Sequence, residues 1–180
     1  VKNTNDGGFI LAGEHDDRPY PLARIIKTNN YGSLQWQQDY EYGPSQSDYF
    51  KSIVETNDGG YAACGVGATE NNGWVMYGHW IVKTDSLGNE QWSQYFAVDE
   101  SHSRAGESII QTSDGYFVTV GYSHLFVSSA SFSIIKLNDS GGVEWDIEWD
   151  FNNSGISNHA YSVIENQNGN YVVIGHEYIV

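Results

Sequence analysis

Five of the six histidines stand in or beside stretches that do not recur along the chain: His15, His102, His124, His159 and His176. Carboxylates accompany them at Asp16, Asp17, Asp99 and Glu100. Imidazoles and carboxylates gathered on neighbouring loops can ligate a metal or serve as an acid–base pair. No two of these histidines keep a tight ligand spacing such as the i, i+4 pair of a zinc helix, so solvated loop side chains are the plainer reading. The densest charge cluster is "EHDDRP" at Glu14 to Pro19. Its hard oxygens suit calcium, with Asp16 and Asp17 as the candidate ligands, but the D-x-D-x-D-G ladder of a calcium loop is missing. No other cofactor is expected.

A second chemistry is aromatic. Trp74 lies in "NNGWVMYGHW" with Met76 and Tyr77. On an exposed loop, Trp74 and Tyr77 could stack on a sugar ring; the alternative is a loop folded back onto its own strands. Trp80 reads as core. Cys64, in an apolar run, reads as a buried small residue. Gly-x-Ser-x-Gly and phosphate-cradling glycine loops do not occur in the sequence.

Composition narrows the partners. The formal charge is −15 and the pI is near 4.4, which repels phosphate backbones and argues against nucleic acid. The sequence holds no apolar run approaching the roughly 20 residues of a membrane span, so membrane insertion is not expected. A single cysteine cannot form an internal disulfide, which leaves the redox compartment open.

What holds these residues is a repeat. Asp6-Gly7, Asp58-Gly59, Asp114-Gly115 and Asn168-Gly169 are spaced 52, 56 and 54 residues apart. An aromatic follows each Asp or Asn three positions on, at Phe9, Tyr61, Phe117 and Tyr171, and a glycine seven positions on, at Gly13, Gly65, Gly121 and Gly175. A second block recurs as "IIKTNNYGSLQW", "IVKTDSLGNEQW" and "IIKLNDSGGVEW". Each copy reads as four short strands, a to d. An Asx-Gly turn joins a to b, a variable loop b to c, an Asx-x-x-Gly turn c to d, and a variable loop leads to the next copy. Both residues of Asn-Gly and Asp-Gly tolerate positive φ, which suits tight hairpins. Strands b and c are nearly continuous apolar runs, so both faces are expected to be covered. Units of this size, each packed between neighbours, describe an all-β, β-propeller-like array of four-stranded blades. About three and a half blades fit residues 1–180, with units starting near 1, 53, 109 and 163. Trp36, Trp92 and Trp145 recur at one position and should fill the gap between neighbouring blades. Lys27, Lys83 and Lys136 recur beside a turn, as a structural ion pair or a solvated strand end.

"QTSDGYFVTVGYS…SFSIIKLNDSGGVEW" and its sister copies resemble the tandem repeats of secreted Bacteroidetes proteins, often cargo of the type IX secretion system. Their pattern is close to S-I-x-x-T-x-D-G-G-Y-x-x-x-G followed by K-x-D-x-x-G-x-x-x-W. The likeness covers essentially the whole chain. It departs at Tyr116 and Asn170, which replace the second glycine of "DGG". It departs also at Arg104 and Asn158, which stand where Asp48 keeps the usual Asp. The Asp-x-x-Gly-x-x-x-Trp turn is partly similar to the tryptophan-docking turn of quinoprotein-like propellers. The resemblance implies a bacterial protein that is extracellular or at the cell surface.

The pattern opens inside a strand a at Val1 and stops after a strand b at Val180. The sequence therefore reads as a piece of a six- to eight-bladed whole, with the other blades supplied by the same longer chain or by a partner chain. The repeated turns all fall on one face, and variation collects on the other, where binding residues are expected. The candidate ligand-binding residues are His15, Asp16, Asp17, Trp74, Tyr77, Asp99, Glu100, His102, His124 and His159. The expected function is a binding or assembly module for glycan or protein; the alternative is a polysaccharide-active hydrolase or lyase using the same loops.

Overall fold

The structure is a computed structural model that describes residues 1–16, 19–44, 46–97, 102–125, 130–149 and 156–179. Among the described residues there are fourteen strands and no helix. The first sheet holds β1 (Lys2–Asn3), β2 (Phe9–His15), β3 (Leu22–Thr28) and β4 (Leu34–Tyr40). The second holds β5 (Tyr49–Glu55), β6 (Tyr61–Asn71), β7 (Trp74–Thr84) and β8 (Glu90–Phe96). The third holds β9 (His102–Gln111), β10 (Phe117–Leu125), β11 (Ala130–Leu137) and β12 (Val143–Trp149). A hairpin of β13 (Ile156–Glu165) and β14 (Tyr171–Ile179) completes the row. Each sheet is an antiparallel meander in chain order, and none closes on itself among the described residues.

Local turn chemistry explains the hairpins. Gly59 N–H donates to Thr56 C=O at 2.8 Å, and Thr56 N–H donates to Gly60 C=O at 2.9 Å. The same pair of bonds closes Thr4 to Gly8, Asn29 to Ser33, Asp85 to Asn89, Thr112 to Tyr116, Asn138 to Gly142 and Asn166 to Asn170. The glycine in each takes φ between +76° and +86°. Both residues of an Asp-Gly pair tolerate positive φ, and in these turns only the glycine adopts it. The turn needs one left-handed residue, and the aspartate serves through its carboxylate instead. Asp58 Oδ1 accepts from Gly60 N–H at 3.1 Å and also from the Thr56 hydroxyl. Among the described residues, only at Asn72-Gly73 do both residues turn left-handed, at φ 52° and 82°. That turn closes β6 and β7 into an uninterrupted hairpin, so "GATENNGWVMYG" is not an irregular loop, and strand c begins at Trp74, six residues before Trp80.

Packing follows the period-2 alternation of strands buried on both faces. Along β6, Tyr61 and Ala63 join Ile10, Ile25 and Tyr40 of the first sheet, whereas Ala62 and Cys64 join Ile109, Phe117 and Ile135 of the third. A third cluster joins Val118, Val120 and Ile134 to Ala160 and Val163 of the hairpin. The core is thus three layers, each between consecutive sheets. Trp36 lies 5.7 Å from the ring of Tyr61, Trp92 5.7 Å from Phe117 and Trp145 6.3 Å from Tyr171, each reaching the next sheet. The first strands of the units also meet one another, β1 with β5, β5 with β9 and β9 with β13.

Candidate functional site

The two ends of the sheets differ in chemistry. At the turn end, Asp6 accepts from Lys27 Nζ at 2.8 Å, and Asp58 accepts from Lys83 Nζ at 2.8 Å. Each lysine also donates to its neighbour's carbonyl, Thr28 at 2.8 Å or Thr84 at 2.9 Å, and to Gln35 or Gln91 at 2.9 and 2.8 Å. Both lysines are buried, so the repeated lysine is a structural ion pair. Partial burial would raise the Asp58 pKa, but hydrogen bonds from Lys83, Thr56 and Gly60 outweigh that and hold it at about 2. A Cβ on Gly60 would stand 2.1 Å from Thr84 C=O and 2.8 Å from Lys83 Nζ. Where Tyr116 replaces that glycine, Lys136 keeps only Asp114 Oδ2, at 3.0 Å, and turns to the Tyr171 hydroxyl, at 3.0 Å, and the Tyr116 ring.

The turns are also tied between sheets. Glu55 accepts from Asn5 N–H at 2.8 Å, Gln111 from Asn57 N–H at 2.7 Å and Glu165 from Ser113 N–H at 2.7 Å. Clefts run between these turns, one lined by Asp58, Lys83, Asp114, Tyr116 and Asp139, another by Asp6, Lys27, Trp36, Glu55 and Leu87. Both kinds of turn therefore share one end of the sheets. Every charged group in these clefts that bonds a neighbour does so to fix a hairpin or a sheet contact.

The opposite end carries His15, Asp16, Trp74, His102 and His124 of the candidate residues. His15 ends β2, where its Nδ1 accepts from Arg24 Nη2 at 2.7 Å; Arg24 in turn grips Asp39 at 2.5 and 2.8 Å. Asp16 follows, exposed, while Asp17, Asp99 and Glu100 lie outside the described residues. His102 opens β9 and His124 stands near the end of β10. Among the described residues, no three His, Cys, Asp or Glu side chains gather into a set able to hold a metal ion.

Trp74 is 63% exposed at the end of the β6–β7 hairpin. The base of that hairpin is clamped. Gly67 pairs with Gly78, and a Cβ on either would strike Tyr42 at 3.0 Å or Tyr95 at 2.3 Å. Those two rings stack at 4.0 Å, and the Tyr95 hydroxyl donates to Met76 C=O at 3.1 Å. Trp74 and Tyr77 are three residues apart along a strand, so they point to opposite faces of the hairpin.

His159 belongs to a strip on the first strands that the sequence reading missed. Each of β5, β9 and β13 bulges at one residue: Lys51, Glu107 and Tyr161 are each left without a cross-strand partner. Lys51 Nζ bonds Glu107, and it stands 5.7 Å from the rings of Tyr49 and Tyr122. Burial would lower the Lys51 pKa, but the bond and charge of Glu107 outweigh it and raise the pKa. Tyr122 stacks on His159 at 4.3 Å, and Tyr161 stacks on His176 at 5.2 Å. Burial lowers the His159 pKa, helped by His176, His124 and Lys51. The sequence does carry a signal. Lys51, Glu107 and Tyr161 each precede a repeated serine, at Ser52, Ser108 and Ser162.

Three further polar groups are sealed inside. Asp48 is fully buried and accepts from Tyr42 N–H and Ala68 N–H, both at 2.8 Å. Burial outweighs those bonds and pushes its pKa up to about 6. Arg104, in the same repeat position, grips Asp146 at 2.6 and 2.8 Å and Ser133 Oγ at 2.7 Å. His79 is fully buried against Thr119 Oγ1 at 2.8 Å, and burial beside Arg104 brings its pKa down to about 3.

No protein-family model and no curated protein matches the chain. A solved structure of a protein of unknown function from Bacteroides caccae superposes with a TM-score of 0.48 at 12% sequence identity, over 89% of this chain and 48% of that one. The chain spans about half the length of that protein.

Proposed function

We propose that the chain is part of a β-propeller-like scaffold whose work is binding, at a bacterial cell surface or outside the cell, with glycan or protein as the ligand. The observation that carries this reading is the clamped β6–β7 hairpin, which holds the indole of Trp74 in solvent on a base locked by Tyr42 and Tyr95. An aromatic anchor on a rigid arm loses little freedom on binding, the economy used by recognition surfaces. Face-to-face stacking of the sheets and mutual contact of their first strands support blades radiating from a common axis. Lys27, Lys83, Arg104, Asp48 and His79 are each engaged in fixing the fold, which favours recognition over turnover.

The test pairs a glycan array and a surface-protein panel with polysaccharide digests, run on the chain and on Trp74→Ala. Binding that falls at least tenfold in the variant, with circular dichroism unchanged, supports the reading; tenfold corresponds to about 1.4 kcal/mol. Sustained depolymerisation of a polysaccharide would replace it with the enzymatic alternative. Binding that is indifferent to Trp74 would remove the hairpin from the site.

A further inference from the structure

The tip of the β6–β7 hairpin is an Asn-Gly pair built unlike the other Asx-Gly pairs of the chain. We propose that Asn72 is a site of spontaneous intramolecular modification, converting through a succinimide to α-linked and β-linked aspartate. The nucleophile is the backbone nitrogen of Gly73, which carries no Cβ to screen it. On losing its proton to hydroxide, that nitrogen attacks Asn72 Cγ. The N–Cγ bond forms, the Cγ–Nδ2 bond breaks, and ammonia leaves with a proton taken from water. Water then adds to one of the two ring carbonyls and opens the ring. The net change is one amide and one water giving one carboxylate and one ammonium.

Three observations single out Asn72. The first is the state of the nucleophile. The N–H groups of Gly7, Gly59, Gly115 and Gly169 donate to Thr4, Thr56, Thr112 and Asn166 C=O at 2.9, 2.8, 2.9 and 3.0 Å, and deprotonation there must break that bond. In the β6–β7 tip the ladder pairs Asn71 with Trp74, and Gly73 N–H takes no part in a turn bond among the described residues.

The second is the backbone of the residue attacked. Ring closure fixes Asn72 ψ at roughly −120°, which with φ at 52° makes the first central residue of a type II′ turn. That turn also fits a two-residue hairpin, so the ring forms without loss of register. In the fourth repeat turn only Gly169 is left-handed, and Asn168 would have to reverse its φ.

The third is room. Asn72 and Gly73 are exposed, and a Cβ built on Gly73 would meet nothing within 4 Å. The three Asp-Gly pairs are protected further, since Asp6, Asp58 and Asp114 are ion-paired to Lys27, Lys83 and Lys136 and an ionised carboxylate is a poor electrophile.

Conversion places a negative charge two residues from Trp74, and the β-linked product adds a methylene to the turn backbone. The Tyr42–Tyr95 clamp at the base confines the change to the tip. None of this depends on what Trp74 contacts.

The test is peptide mapping by mass spectrometry on the chain aged at pH 8, folded and in urea, following Asn72 and Asn168 separately. In urea the two Asn-Gly pairs should convert at similar rates. In the folded chain Asn168 should slow on the order of tenfold, the scale of one hydrogen bond kept, while Asn72 stays within about threefold of its unfolded rate. Asn72→Gln, which would have to close a six-membered ring, should abolish most of the ammonia released by the folded chain. Folding that slows Asn72 as much as Asn168 overturns the proposal. So does ammonia release undiminished in Asn72→Gln.

Discussion

Lys83 Nζ lies 2.8 Å from Asp58 Oδ2 while the lysine side chain is 4% exposed and the aspartate 54% exposed. The charge that is expensive to desolvate is satisfied by Asp58, Thr84 C=O and Gln91, and its partner keeps most of its water. Lys83→Met should destabilise the chain by roughly 1–2 kcal/mol, at the low end for an ion pair of this burial because Asp58 rehydrates. Because the folded Asp58 pKa is depressed to about 2, its contribution is fully present above the unfolded value near 3.8 and is lost as pH falls towards 2. Urea midpoints of both proteins from pH 7 to pH 2 should converge at the acid end.

Asp48 should act with the opposite sign. Its folded pKa is raised to about 6, above the unfolded 3.8, so the folded protein binds the extra proton. Its contribution to stability is greatest below about pH 4 and is lost as pH rises through 6. Between pH 7 and pH 4 the native chain should gain about 2 kcal/mol relative to a variant without this carboxyl. Asp48→Asn removes the titration but leaves Tyr42 N–H or Ala68 N–H facing an amide donor, so it should be less stable at both pH values while losing the slope. A variant with the same slope as the native chain would dismiss Asp48 as its source.

The glycine seven positions after each turn Asp or Asn has a single physical cause in three of the four units. A Cβ on Gly65, Gly121 or Gly175 would lie 2.0, 1.8 or 2.2 Å from the carbonyl of Tyr49, Ala105 or His159. Each faces the bulge of the neighbouring first strand. Around Gly13 nothing lies within 4 Å. Gly121→Ala should cost about 2–3 kcal/mol, the scale of overpacking against backbone, whereas Gly13→Ala should stay within about 0.5 kcal/mol. Equal losses at the two sites in denaturant titrations would refute the bulge as the cause.

Gly32 and Gly88 make a second matched pair. Both are left-handed, at φ +77° and +84°, but a Cβ on Gly88 would meet the Trp36 ring at 2.9 Å, and one on Gly32 would meet nothing. Alanine at Gly32 should cost about 1–2 kcal/mol of backbone strain. Alanine at Gly88 should cost visibly more and red-shift Trp36 fluorescence as the ring is displaced.

Cys64 should be inert. It is fully buried, and burial pushes its thiol up to about 12. A disulfide reagent at pH 8 should label it only at the rate of unfolding; labelling in the native state within mixing time would contradict the packing of the second layer.

The hairpins were legible because their chemistry is local. Thr56 to Gly60 and Asp85 to Asn89 fix their own turns with bonds inside five residues, and those residues recur as a pattern. The interlayer roles of Trp36, Trp92 and Trp145 were legible for the same reason, by recurrence. Lys51, Glu107 and Tyr161 were not, since a bulge is set by how the first strand meets a glycine on its partner, and strict alternation assigns the bulged residue to the wrong face. Asp48, Arg104 and Asn158 were visible as one column of unlike residues, but what each bonds depends on side chains that differ from unit to unit. The β6–β7 extension was read as a loop because its variability hid a continuous pairing.

The side chains of Glu55, Gln111 and Glu165 each close a turn that belongs to the unit before them. A tandem duplication or deletion whose breakpoints fall at the same place in two repeats therefore carries one donor and one acceptor half-contact together. The array can lengthen or shorten by whole units during evolution while every seam is rebuilt from parts it already possesses, leaving the variable loops free to diverge copy by copy.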